Sequence, residues 1–259
     1  MRKLLILVLI VHTAAAWGWG QTGHRVTGEV AEHYLSPEAA AAVEQILGSE
    51  SLARASTWPD FMRADPAEFW QQTARPWHYV TVPAETSYEE VGAPPEGDAY
   101  TALAQFGETL RNADASREQR ALALRFAIHI IGDLHQPLHV GNGTDRGGNQ
   151  FTVTYFGEDS NLHRLWDGQL LERMELSYSE LASWLLADID HDTFRAWNQP
   201  DARVWITESA ALRDRIYPED RDLSWDYGFE WNATVEQRLA QAGVRIAAWL
   251  NATFAVSRH

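Results

Sequence analysis

The sequence predicts a mainly α, single-domain, multi-helix fold with a small β-hairpin. Apolar residues recur at helical spacing along most of the chain after residue 19. Only two short segments alternate like strands, and no tract rich in Pro, Gly or Ser marks a linker. A length of 259 residues, 45% apolar and 22% charged, suits one large globular domain.

The elements follow in chain order. Arg2 and Lys3 precede an apolar run from Leu4 to Val11, and Ala14, Ala15 and Ala16 supply small residues, the pattern of an export signal. Residues 1–18 are therefore expected to be a signal peptide and 19–259 the mature domain, with cleavage after Ala16 or after Gly18. No segment reaches the roughly 20 apolar residues of a membrane span. The expectation is an exported, soluble protein, periplasmic or extracellular. Val26, Val30, Ala31 and Tyr34 form a helical stripe over 24–35. Ser36-Pro37 then gives an N-cap and first-turn proline for a helix through Leu47, closed by Gly48. Helical periods recur over 100–113, 117–134, 179–188, 202–216 and 233–254. The two strand patterns are 77–82 (WHYVTV) and 150–156 (QFTVTYF), while 88–98, with its Pro and Gly, reads as a loop.

Composition excludes several classes of function. Acidic residues outnumber basic ones 36 to 21, a net charge of −15, which argues against a broad basic surface of the duplex-DNA-binding kind. After Lys3 every fixed side-chain cation is Arg. The absence of Cys excludes disulfides, thiolate catalysis and Cys-based metal sites. The 12 Trp are expected to pack between helices in the core.

The histidines keep notable company. HIIGD places His129 and Asp133 at i and i+4 on one helical face, in a segment otherwise apolar enough to be buried. Pro137 breaks that helix, and His139 follows. HRLWD repeats the spacing with His163 and Asp167 on a second apolar-flanked helix. One such pair is explained by a helical hydrogen bond. Two pairs and a third His beside a helix break fit a polynuclear zinc site built from N and O ligands, and metal ions would compensate the buried charge of Asp133. Upstream, WPDFMR offers Asp60 and, one turn on, Arg63, and WHY puts His78 at the head of the expected strand. WGQTGH sets His24 shortly after Trp19, whose α-amine and carbonyl could chelate a metal if cleavage left Trp19 first.

WGQTGH, WPDFMR, WHYV, HIIGDLHQPLH, GGN and NLHRLWD occur in this order, followed by WITES (205–209) and AQAGVRIAAWL (240–250). Together they resemble the trinuclear zinc-dependent single-strand nucleases and 3′-nucleotidases, from Trp19 to about Leu250. HIIGDLHQPLH with NLHRLWD is highly specific. The resemblance implies a multi-helix bundle of the zinc phospholipase C/nuclease type and three Zn²⁺ as cofactors. By position, Asp60, His78, His129 and Asp133 would hold the first zinc. Asp133 would bridge to a second, bound by His24 and by the amine and carbonyl of Trp19. The last would take His139, His163 and Asp167. Arg63 matches the family's arginine beside the phosphate, Asp60 would orient the attacking water, and Asn149 of GGN would support the site. The implied substrates are single-stranded DNA and RNA, cut to 5′-phosphates, and 3′-nucleotides; no membrane and no obligate protein partner are implied.

The chain departs from relatives that select a base with an aromatic and a carboxylate after the His matching His78. Here Tyr79 can stack a base, but Thr81 cannot replace the carboxylate, and Gly168 lacks the polar side chain some relatives carry. The fungal disulfides are absent too. Two rival readings are a zinc-dependent phospholipase C of the same fold and an exported zinc-binding protein without catalysis. The first spaces its first His further from the Trp and usually ends the last pair in Glu; the second would leave Arg63 and Tyr79 without a task. His33 reads as a helix-face residue, His191 and His259 as solvated, and His135 as a surface group or a support to the ligands. The three sequons at Asn142, Asn232 and Asn251 are short enough to be chance.

Overall fold

The computed structural model describes residues 19–255; the expected leader and His259 lie outside it. The longer helices are α1 (Gln21–His33), α2 (Pro37–Leu47), α3 (Ala99–Arg111), α4 (Arg117–Asp133), α5 (Tyr178–Asp188), α6 (Ala202–Arg213) and α7 (Trp225–Thr253). Each answers to a period read from the sequence. Side chains that accept from the orphan N–H groups of the first turn set the starts of α2 to α5: Ser36 for α2, and reciprocal caps at Asp98–Thr101, Ser116–Gln119 and Ser177–Glu180 for α3, α4 and α5. α7 begins well before residue 233. Its first turns bury Tyr227 and Trp231, one helical turn apart, but surround them with exposed aromatics that blur the period.

α4 is the axis of the fold, buried without interruption from Phe126 to Asp133. α1 lies against α7, where a Cβ on Gly243 would come within 2.5 Å of the Val30 Cβ, so only glycine permits the approach. The core has two halves. Phe106, Leu124, Phe126, Ile130, Trp205 and Ile246 fill one; Trp19, Val26, Trp166, Leu181, Trp231 and Leu239 fill the other. Trp19, Trp166 and Trp205 are core residues as expected, whereas Trp184 and Trp225 are 59% and 68% exposed.

The β structure is small. β1 (Val80–Thr81) and β2 (Val140–Gly141) pair in parallel, in register Val80↔Val140 and Thr81↔Gly141. β3 (Thr152–Tyr155) and β4 (Glu158–Asn161) form the hairpin, with β5 (Asp222–Leu223) parallel to β3 on its other side. Phe156 and Gly157, at φ 52° and 79°, make the tight turn whose twist matches the strands. Two expectations are corrected here. The segment 77–82 is not one strand: Pro76, with its fixed φ and missing N–H, starts a 3₁₀ turn (Arg75–His78), and only Val80 and Thr81 pair. The segment 88–98 opens with a helical turn, Tyr88–Val91, capped by Ser87 and Glu90, before becoming a loop. Among the described residues no helix is long and apolar enough to cross a membrane.

Candidate metal centre

α1 contributes His24 to the centre, and α4 contributes His129 and Asp133 one turn apart. A short helix, Trp58–Met62, carries Asp60 and ends at Arg63. The turn Arg75–His78 ends in His78, and a second 3₁₀ turn, Pro137–His139, ends in His139. The parallel β1–β2 pair that follows these turns sets the two histidines side by side, and His139 Nδ1 donates to the His78 carbonyl. His163 lies on a helical turn (Leu162–Arg164) that runs into a π turn, Leu165–Gln169, bearing Asp167. A regular helix was expected there. The wider turn is a common device at functional sites, and the pair still meets, Nε2 to Oδ2 at 3.2 Å.

Asp133 is the hub. Its Oδ1 lies 3.2 Å from His24 Nε2; its Oδ2 lies 3.1 Å from His129 Nε2, 3.2 Å from His78 Nδ1 and 3.7 Å from His139 Nδ1. Asp60 Oδ1 stands 3.9 Å from His129 Nε2 and 3.4 Å from Arg63 Nη1. The five histidines and aspartates around Asp133 and Asp60 (His24, Asp60, His78, His129 and Asp133) are buried, as are His139, His163 and Asp167. Carbonyls fix the rings: His129 Nδ1 donates to Ser56 (2.7 Å) and His163 Nδ1 to Gly147 (2.6 Å), leaving each Nε2 lone pair for the centre.

The electrostatics call for added positive charge. Burial and the neighbouring His129 hold His24 below its usual range, and burial pulls His78 down to about 4, so both stay neutral. His129 is also penalised by burial, yet the carboxylates of Asp133 and Asp60 outweigh this and raise it to about 9. Burial pushes Asp167 well above the usual carboxylate range, with the charges of Asp133 and Asp60 adding to the effect. The upward shift of Asp167 marks a buried carboxyl with too little positive charge beside it. In addition, both ring nitrogens of His24, Asp60 Oδ2 and Asp133 Oδ1 are buried with no hydrogen-bond partner among the described residues. Such atoms are costly unless something else satisfies them. Zinc fits. Tetrahedral ligation at about 2.0–2.1 Å sets neighbouring ligand atoms roughly 3.3 Å apart, close to the 3.1–3.9 Å found around Asp133 and His129. Three such groups are formed: His24, His129 and Asp133; Asp60, His78 and His129; and His139, His163 and Asp167.

The remaining expected residues surround this centre. Trp19 is fully buried, and the Gly20 amide donates to the Asp167 carbonyl at 2.6 Å, docking the first described residues against the last ligand segment. A cleft of about 270 Å³ opens above the histidines, and Arg63, Tyr79, Thr81 and Asn149 line it. Tyr79 is 46% exposed at its mouth. Asn149 Nδ2 donates to the Arg146 carbonyl, so it braces a loop and does not face the clusters as a ligand. His33 lies on an exposed face of α1, and His191 is exposed as expected. His135 is fully buried: its Nδ1 donates to the Ile131 carbonyl, its Nε2 accepts from Arg245, and burial next to Arg238 and Arg245 keeps it neutral. Sequence reasoning missed Gln136, which is buried, donates to Asp167 Oδ1 and accepts from the Leu138 amide. It also missed Arg75 and Arg146 on the cleft wall. Gln136 sits within HIIGDLHQPLH, and that was its only signal; the two arginines had none.

The sequence model of the family described as S1/P1 Nuclease matches residues 19–255. Endonuclease 4 of Arabidopsis thaliana is 30% identical over 290 residues, covering 97% of this chain and 94% of that protein. Nuclease P1 of Penicillium citrinum is 30% identical over 267 residues, covering 90% and 97%, and Nuclease S1 of Aspergillus oryzae is 28% identical over 269, covering 91% of each. Among solved structures, the alpha toxin from Clostridium absonum superposes with a TM-score of 0.55 over 95% of this chain and 67% of its own. At 18% identity that likeness is one of fold.

Proposed function

Because the chain belongs to the S1/P1 nuclease family, we propose that it is a zinc-dependent endonuclease hydrolysing the phosphodiester bonds of single-stranded DNA and RNA. The observation that carries this is the set of three buried His/Asp groups beneath an arginine-lined cleft of about 270 Å³, space for about one nucleotide. Asp60, His78, His129 and Asp133 would hold one zinc. Asp133, His24 and the amine and carbonyl of Trp19 would hold the second, and His139, His163 and Asp167 the third. When bound, zinc neutralises phosphate charge and brings the pKa of water down toward 7.

The chain's own residues do the rest. Arg63, held against Asp60, donates to the phosphate oxygens and stabilises charge that grows on them as phosphorus is attacked. Asp60 Oδ2 accepts the hydrogen bond that orients the attacking water. Tyr79 offers an exposed ring face on which a splayed base stacks, as only a single strand allows. Thr81 provides a hydroxyl and no charge, so a base is gripped by stacking more than by its amino group. Cleavage releases the 3′-oxygen and leaves 5′-phosphates, and the same groups would free phosphate from 3′-nucleotides. The leader, with Arg2, Lys3 and the run Leu4 to Val11, supports export to the periplasm or the medium. Cleavage after Gly18 would give Trp19 its free amine, and the family match begins at that residue.

Metal analysis joined to hydrolysis of single-stranded DNA tests the reading. Metal-replete protein should hold about three zinc equivalents, as a trinuclear site requires, and chelation should abolish hydrolysis that added zinc restores. A reproducible single equivalent would overturn the trinuclear assignment.

A further inference from the structure

Arg75 and Arg146 line the cleft, and no step above uses them. Among the described residues neither guanidinium pairs with a carboxylate. The setting is selective: in a chain of 36 acidic and 21 basic residues, the cleft wall holds three arginines and, among the described residues, no acidic one. Arg63 differs in depth from the other two. Its side chain is 18% exposed and reaches down to Asp60, whereas Arg75 and Arg146 are exposed at the rim. A cleft sized for one nucleotide leaves the neighbouring phosphates of a strand outside it, within the reach of exposed side chains on its wall.

Arg146 is held there against its own backbone preference. Its φ is +58°, in the left-handed region that a residue with a Cβ avoids, and Gly147 and Gly148 continue in that region. The loop is fixed from several sides. Asp145 accepts from the Gly148 amide (2.9 Å) and from the Tyr217 hydroxyl (2.7 Å), Asn149 donates to the Arg146 carbonyl (2.9 Å), and the Gly147 carbonyl receives His163. Gly147 is required, since a Cβ there would come within 2.3 Å of the Leu138 carbonyl oxygen. The loop that aims His163 at the centre thus also fixes the backbone from which Arg146 reaches the cleft. Arg75 enters from the 3₁₀ turn that ends in His78.

We propose that Arg75 and Arg146 are specificity-determining residues that bind the phosphates flanking the scissile one, so that the enzyme selects longer strands over substrates with a single phosphodiester. The proposal rests on the single-strand nuclease reading. It is tested with the zinc-loaded chain on a single-stranded decanucleotide and on a dinucleotide, across a salt series. Variants are Arg75→Ala, Arg146→Ala, their double, and Arg195→Ala as a control that removes the same charge from an exposed helix away from the cleft. The double variant should raise KM for the decanucleotide about tenfold relative to the dinucleotide. It should also flatten the slope of log(kcat/KM) against log salt by about 1.4, roughly 0.7 per lost contact to a single strand. Arg195→Ala should match wild type, and zinc content should be unchanged throughout. Equal losses on both substrates, or an unaltered salt slope, would overturn the proposal. Loss of zinc in Arg146→Ala would overturn its part by assigning it to loop integrity. If wild type cuts neither substrate, the nuclease reading itself fails, and the proposal with it.

Discussion

At Asp133 the two carboxylate oxygens face different imidazoles, Oδ1 toward His24 and Oδ2 toward His78 and His129. Its charge is already favoured: burial opposes ionisation, but His129 and His139 outweigh it and hold the group well below the usual carboxylate range. Asp133→Asn preserves volume and removes the charge that two cations would share. Zinc affinity should fall by more than about 100-fold and hydrolysis with it, since even residues that merely orient ligands cost 10–100-fold. Zinc titration and turnover check this, with His33→Gln, exposed and remote from the clusters, expected to behave as wild type. Full metal content in Asp133→Asn would remove its bridging role.

Among the elements, α1 and α7 approach so closely that Gly243→Ala should push Val30 and shift α1, which carries His24. Overpacking of this kind costs about 1–3 kcal/mol, visible as a Tm several degrees lower in the zinc-loaded protein. An unchanged Tm would mean the crossing is looser than 2.5 Å implies. A second link joins α6 to α7: Glu208 accepts from both terminal nitrogens of Arg245 and from Arg238, while Arg238 Nε donates to the His135 carbonyl just after α4. Burial tends to raise Glu208, but the two guanidiniums outweigh it and lower its pKa from 4.5. A depressed carboxylate contributes stability above its unfolded value and loses it as pH falls through the folded one. The Tm gap between wild type and Glu208→Gln should therefore be full above pH 4.5 and close below it; a gap independent of pH would contradict the ion pairing. Elements were legible where one period governed them. His129–Asp133 and His163–Asp167 were found because four residues make one helical turn. The site of His78 was misread because a proline turn and a strand share six residues, and the π turn under Asp167 has no signature distinct from a helix. Gln136, Arg75 and Arg146 stayed hidden because their roles come from burial and loop course, which a period does not encode.

For the molecule as a whole, the three His/Asp groups draw together α1, α4 and turns between residues 58 and 167. The Gly20 amide docks the first described residues against the Asp167 segment. If Trp19 chelates through its amine and carbonyl, one extra residue turns that amine into an amide with no basic lone pair. A chain retaining Gly18 should then bind one zinc equivalent fewer than a chain starting at Trp19, as read by elemental analysis of protein whose N-terminus is fixed by intact mass. Equal zinc in the two would remove Trp19 from the ligand set and leave the His and Asp assignments standing. The chain carries a net charge of −15, yet the cleft wall, among the described residues, holds three arginines and no carboxylate, so its charge is unevenly spread. On a cationic support the arginine-lined cleft would be the least attracted part of the molecule and would tend to face solvent. Carbodiimide coupling would reinforce that orientation, because the reactive carboxyls lie off the cleft wall and a body without lysine offers no side-chain amine for the chain to cross-link to itself.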